Sequence, residues 1–360
     1  MQHEVTESRD LLGPDGRLVE EGWARRPLWR YARSRIKAGP FRIKEWDYYS
    51  VLSPEGRFGL TLTMSDLGYA GMFAACFLDL ERGLYRQVDT LSVLPMGRTG
   101  FPADGDAGRV AFSDGKLSLA FECQRDQGAG GSPRDPGAGG SRRVLTFSAP
   151  TLDDGDGHVG LEGRIELYQP DALESVTIAT SWAENRRAFY YNRKINCMPA
   201  SGGFSIGPRS FRFDPMRDFG GLDWGRGRWT YENRWYWSSA SGLAGGKPFG
   251  WNLGYGFSDR GPASENALVL DGRVHKLADV EFRYDRSDYL KPWRFVSSDG
   301  RFEMDFRPLV DRRSRTDLKL IVSDQHQVFG EFTGTAVLDD GTPLRVERFP
   351  GFAEDVYNRW

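Results

Sequence analysis

The chain is short of the residues that mark the commonest reactive sites. Its 360 residues include only three cysteines and four histidines. Cys76, Cys123 and Cys197 are odd in number, far apart and without paired spacing, which suits reduced thiols and not a disulfide framework. His3, His158, His275 and His326 are scattered, no two at ligand spacing, so no metal is expected. An excess of one charge is also missing: 48 basic against 50 acidic residues leave a formal net charge of −2. Without a basic surface, no nucleic-acid partner is expected. The run Arg312, Arg313 and Arg315 is flanked by acids and reads as a solvated turn. No window approaches the roughly 18 consecutive apolar residues of a membrane span. The first residues carry acids and no apolar core, so no signal peptide is read there. These absences together point to a soluble, cytoplasmic protein. No cysteine has a histidine nearby in sequence, so a cysteine–histidine nucleophile has no support.

What is present is glycine, aromatic residues and alternation. Gly accounts for 44 residues, many in Asp-Gly or Gly-Gly pairs. Asp114-Gly115, Asp271-Gly272, Asp299-Gly300 and Asp340-Gly341 each separate apolar or alternating runs, and Asp-Gly tolerates the positive φ angles of a two-residue hairpin. Residues 57–64, 116–123 and 301–306 alternate with period two; in the last, Phe302, Met304 and Phe306 oppose Glu303 and Asp305. An antiparallel all-β fold follows, as one large or two fused barrels or curved sheets, with short helices expected only at 17–37 and 351–358. Residues 124–142 are of low complexity and read as a disordered hairpin insertion. A glycine-rich stretch near 199–210 suggests two halves, 1–198 and 199–360.

Residues 219–242 concentrate Trp224, Trp229, Trp235 and Trp237 with Tyr231, Tyr236 and two carboxylates, Asp223 and Glu232. An acid held among indole faces keeps its proton, because desolvation disfavours the carboxylate, and the rings stabilise a developing cation. Asp223 is therefore either a general acid or a turn residue bonded to nearby amides. Glu232 is either a second acid or a salt-bridge partner of Arg234. On a strand at 190–196, Tyr190, Asn192, Lys194 and Asn196 share one face, a candidate polar wall inside a cavity. The GlyTyrGlyPheSerAspArg segment at 254–260 lacks the Gly-Lys-Ser/Thr of a phosphate loop and reads as a sharply bent strand; Tyr255 and Glu265 are candidate substrate-binding residues, with Glu265 and Asn266 as polar groups of the site. Asp259 and Arg260 read as a local ion pair, and His326 is a minor candidate.

Several segments carry a family resemblance: 190–200, AspTrpGlyArgGly at 223–227, 254–260, GluAsnAla at 265–267, TyrLeuLysProTrpArgPhe at 289–295 and SerAspGlnHisGlnValPheGlyGluPheThrGly at 323–334. They resemble the bacterial domain of unknown function 2804 across the whole chain. More distantly, AspTrpGly in an all-β setting resembles the lipocalin-like carotenoid 1,2-hydratases, tocopherol cyclases and AttH-type proteins. That resemblance implies a calycin-type barrel and protonation of an isoprenoid double bond without a cofactor, with Asp223 at the position of the hydratases' aspartate. The expected function is binding of a hydrophobic, isoprenoid or lipid-like molecule with acid-assisted hydration, cyclisation or isomerisation. A non-catalytic lipid carrier is one alternative. A carbohydrate-active enzyme pairing Asp223 with Glu232 or Glu265 is another.

Overall fold

A computed structural model describes residues 2–126, 139–317 and 319–360. Among these residues strands dominate and no α-helix occurs, leaving two short 3-10 turns at Arg33–Arg35 and Pro40–Arg42. The strands form two large curved sheets and one short parallel pair, Arg9–Asp10 with Trp29–Arg30.

In the first sheet the order runs Leu84–Val93, Ala70–Asp79, Phe58–Asp66, Ile43–Ser53, Phe219–Arg228, Asn185–Ile206, Val159–Pro170, Gly140–Asp153, Ser118–Asp126 and Gly108–Ser113. In the second it runs Arg273–Lys276, Ala267–Leu270, Lys247–Tyr255, Glu232–Ala244, Pro343–Arg359, Val322–Val337, Phe302–Asp317, Trp293–Ser297 and Val280–Arg283. All pairings within these two sheets are antiparallel, and each of the four Asp-Gly pairs connects two paired neighbours. At Asp271 and Gly272 both φ angles are positive, +48° and +85°, the combination a tight two-residue turn needs.

Three expectations are corrected. Residues 351–358 lie in the strand Pro343–Arg359, because their apolar residues alternate across two buried faces instead of following a helical stripe. Residues 17–37 hold two short strands and one 3-10 turn, not an α-helix. The chain changes sheet at residues 229–231, whereas position 199, near the compositional boundary, lies inside the paired strand Asn185–Ile206. Of the insertion 124–142, residues 127–138 lie outside the described residues; the flanking strands pair from Gly140 opposite Asp126 onward.

Each sheet curls around its own apolar cluster, and a third cluster fills the seam between them. At the seam, Tyr48, Leu52, Cys76 and Leu78 of the first sheet meet Trp237, Val310, Phe329 and Phe352 of the second. Burying each large side chain there stabilises the pairing of the sheets by roughly 1.5–3 kcal/mol. Asn196 bolts the seam: its Nδ2 donates to Ser239 Oγ at 2.8 Å, Trp251 O at 3.0 Å and Ala240 O at 3.2 Å, all on the second sheet. It lies within a register shift between Ile195 and Met198, where Cys197 takes a φ of +60°. Such a bulge re-aims the residues beside it.

Candidate functional site

Three adjacent strands of the first sheet build the floor of a cavity at the seam. Their register sets Tyr48, Asp223 and Lys194 in one cross-strand row, then Trp46, Gly225 and Asn192, then Lys44, Gly227 and Tyr190. Alternation places Asp223, Gly225 and Gly227 on the cavity side and Trp224 and Arg226 on the other. The glycine of AspTrpGly has a steric reason: a Cβ at Gly225 would come within 2.1 Å of the Trp46 ring, so only glycine lets that indole lie over the strand.

The cavity has a volume of about 220 Å³. Its apolar wall comes from Trp46, Trp229, Trp235, Trp237, Phe257 and Trp360, and its charged groups include Lys194, Asp223, Glu265 and Glu354. The indoles meet edge to face, with Trp229 centroids 5.7 Å from Trp46 and 5.6 Å from Trp235.

Lys194 is the hub. Its Nζ lies 2.8 Å from Asp223 Oδ2, 3.9 Å from Glu265 Oε2 and 3.9 Å from the centroid of the Trp237 ring. Asn192 Nδ2 donates to the other Asp223 oxygen at 2.5 Å. The Tyr190 hydroxyl donates to Glu265 Oε2 at 3.5 Å. Glu265 exists where it does because residue 254 is glycine; a Cβ there would sit 1.8 Å from its Oε1. On the opposite wall, Trp235 Nε1 donates to Glu354 Oε2 at 3.4 Å, and Gln327 Nε2 donates to Glu354 Oε1 and to Tyr48 Oη.

Three buried carboxyls thus face one ammonium, and burial raises two of them, Glu354 and Glu265. Desolvation pushes Glu354 up to about 7, outweighing the attraction of Lys194, and the charge of Asp223 adds to the rise. Glu265 is raised by the same burial, against the pull of Lys194. Tyr190 is likewise held well above its ordinary value by desolvation first and by Glu265 next.

The sequence candidates divide accordingly. Tyr190, Lys194, Asp223, Trp229, Trp235, Trp237 and Glu265 come together on the cavity, and Asn192 touches it through Asp223. Glu232 is corrected: it is exposed, accepts from the Tyr357 hydroxyl at 2.8 Å, and leaves Arg234 to pair with Asp355. Trp224 is corrected too, since its position beside Asp223 turns it to the opposite face, 5.3 Å from Tyr191 and beneath the Arg226 guanidinium. Asn196 serves the seam and not the cavity wall. Tyr255 stacks on Tyr236 at 4.6 Å, and His326 bonds Asp311 and stacks on Tyr289, both away from the cavity. Asp259 and Arg260 do not pair with each other; they bind Arg186 and Asp279. Arg312 and Arg313 are on a strand that lines the cavity, not on a solvated turn.

Sequence reasoning missed Glu354, Gln327, Trp46 and Trp360. The available signal for Glu354 was an acid at period two with Val356 inside the apolar run from Phe352 to Val356, and both line the cavity.

Among the described residues, no helix is long and apolar enough to cross a membrane, and no group of three or more His, Cys, Asp or Glu is placed to hold a metal ion. No curated protein matches the chain. Among solved structures, an AttH-type protein from Nitrosomonas europaea is similar, at 14% identity and a TM-score of 0.51 over 88% of this chain and 92% of that one. Kievitone hydratase from Nectria haematococca aligns at 13% identity and a TM-score of 0.46, over 87% of this chain and 88% of that one. The first likeness identifies the fold as the lipocalin-like arrangement of two curved sheets expected from the sequence. Residues 2–360 match the family described as domain of unknown function DUF2804, and the chain belongs to that family.

Proposed function

We propose that this protein binds a hydrophobic small molecule in the cavity between its sheets and catalyses a hydration, cyclisation or isomerisation that begins with proton transfer from Glu354. The observation that carries the reading is the buried Glu354 carboxyl on an indole-walled cavity, bonded by the neutral donors Trp235 and Gln327, where burial pushes it up to about 7. A catalytic acid works best when it titrates near the operating pH, and desolvation supplies that here. In the step proposed, Glu354 gives its proton to a carbon–carbon double bond. The cation that forms lies against the faces of Trp46, Trp229, Trp235 and Trp237. For hydration, a water beside the Lys194–Asp223 pair adds to the cation and passes its proton to Asp223. In cyclisation an internal nucleophile replaces that water, and in isomerisation the cation loses a neighbouring proton; in both, Asp223 takes the proton released.

This reading moves the acid from Asp223 to Glu354. The oxygens of Asp223 are engaged by Asn192 and Lys194, which suits a group that accepts a proton or orients water. A carbohydrate-active site is the weaker reading: Glu232 is exposed and bonded to Tyr357, and the remaining pair, Asp223 and Glu265, both face Lys194.

The test has two parts. Native mass spectrometry of protein from its own host, with extraction of any bound molecule, should yield an apolar species; a co-purifying oligosaccharide would overturn the reading. Candidate alkenes identified in that way are then assayed with the parent and with Glu354→Gln. Turnover lost with binding retained supports the acid. Unchanged turnover in the variant removes it, and binding without turnover by the parent leaves a carrier.

A further inference from the structure

Arginines elsewhere in the molecule, from buried to exposed, meet carboxylates. Arg143 and Arg193 reach Asp106 at 3.0 and 2.6 Å, Arg226 reaches Asp47 at 2.9 Å, and Arg57, Arg307 and Arg348 converge on Glu331. Arg312 is the contrast. It is half-buried on the cavity wall, yet no carboxylate of the described residues comes within ion-pair distance. Its partners are two neutral amides: Nε donates to Gln87 Oε1 at 2.7 Å and Nη1 to Gln327 Oε1 at 2.7 Å. Asp89, also on the wall, is bonded to Gln87 Nε2 at 3.3 Å and so stands one side chain away.

The amides fix the guanidinium without neutralising it, and Nη2 has no partner among the described residues. A planar cation so held is preorganised for a forked pair of hydrogen bonds to a planar anion. Gln327 also donates to Glu354, so a group bound at Arg312 sits one amide from the proposed acid. Thr90 and Leu91 on the strand of Gln87, Ser314 on the strand of Arg312 and Gln325 on that of Gln327 also line the cavity.

We propose that the ligand is an amphipathic carboxylic acid, its carboxylate paired with Arg312 and its apolar body among the indoles. This assignment rests on the cavity reading above and adds the head group. The half-buried Arg312 guanidinium matches a monoanion; a phosphate monoester would bring a second negative charge toward Asp89, and the neighbouring lining cation, Arg313, is exposed.

Dodecanoate, dodecanol and dodecyl phosphate are suitable probes, titrated by tryptophan fluorescence and calorimetry at pH 8 into the parent, Arg312→Gln and Arg312→Lys. The parent should bind dodecanoate about tenfold or more tightly than dodecanol, the scale of a charge-assisted hydrogen-bonded pair. Arg312→Gln should erase that preference while leaving dodecanol affinity and the melting temperature near those of the parent. Arg312→Lys should restore part of it, keeping charge but not the fork. Equal binding of acid and alcohol by the parent, or a preference that survives Arg312→Gln, overturns the assignment while the cavity reading stands. Tighter binding of dodecyl phosphate than of dodecanoate also overturns it, in favour of a phosphate ester. If neither acid nor alcohol binds, both readings fall together.

Discussion

The two strands at the middle of the first sheet carry buried charge on both faces, and the two faces are built differently. Behind the cavity, Arg143, Arg193 and Arg226 meet Asp106, Asp47 and Glu45, with Glu45 also accepting from Tyr31 at 2.8 Å. Arg226 additionally lies 4.0 Å from the Trp224 centroid. There every carboxylate meets at least one guanidinium, Arg33 joining at Glu45, and the rings of Tyr31, Tyr191 and Trp224 pack against each other. On the cavity face three carboxyls share Lys194, and beside them is a void of about 220 Å³. Burial of charge is common to both faces. An unmatched acid next to empty space belongs to one only, and that combination marks a site.

The largest effect that would test this contrast is on chemistry. Glu354→Gln should lower kcat on the natural ligand by about 10²–10⁴-fold, the range for a lost general acid. In the parent, kcat should fall as pH rises through about 7, since only the protonated form donates, and the variant should lack that fall. A parent profile that is flat across pH 6–8 would break the distinction between the faces.

Arg226→Met tests the other side. Removing one partner of a buried pair leaves Asp47 uncompensated, at a cost of roughly 3–5 kcal/mol. Denaturant unfolding should show that loss, while ligand affinity per folded molecule stays at the parent value. A variant of unchanged stability would mean that the matched network is not structural.

A stability–pH curve gives a third comparison. Glu354 in the folded protein binds its proton up to about pH 7, and in the unfolded chain only to about 4.5. Between those values the folded state holds the extra proton, so stability falls as pH rises, by on the order of 3 kcal/mol in all. Lys44 and Lys276 are buried and lowered to about 7, which works in the opposite sense. Above pH 7 the unfolded chain binds more protons at those lysines, and stability falls as pH drops back through that range toward 7. Subtracting the Glu354→Gln curve from that of the parent should isolate the first window; no difference between pH 5 and 7 would remove Glu354 as the group responsible.

The smallest effect concerns the rings. Trp237→Phe keeps an aromatic beside Lys194 but loses the bond from Nε1 to Asn252, 2.7 Å long. Affinity for an apolar ligand should weaken a few-fold, about 1 kcal/mol. The same change at Trp224, on the far face, should leave affinity untouched.

The features that the sequence made legible are local ones. Asp-Gly pairs define hairpins by their own backbone preferences, and period two across Tyr190 to Asn196 separates faces without knowledge of any neighbour. The indole concentration likewise pointed to the cavity, and three of its four tryptophans line it. Glu354 was hidden because its character comes from Trp235, Gln327 and Lys194, brought together only by the pairing of the last strand with two distant ones. The ion pair of Asp223 was hidden for the same reason, since its cross-strand neighbour Lys194 is 29 positions earlier in the chain but directly opposite in register. Trp224 was misplaced by proximity in sequence, where a step of one reverses the direction of a side chain.

The seam that holds the cavity is also the only stretch, among the described residues, where one sheet's ion pair of Lys194 and Asp223 looks across at the other sheet's Glu354. A guest molecule would therefore touch both halves at once and act as a rivet. Loading the chamber should make the two sheets melt as one, and emptying it should let them part company on heating.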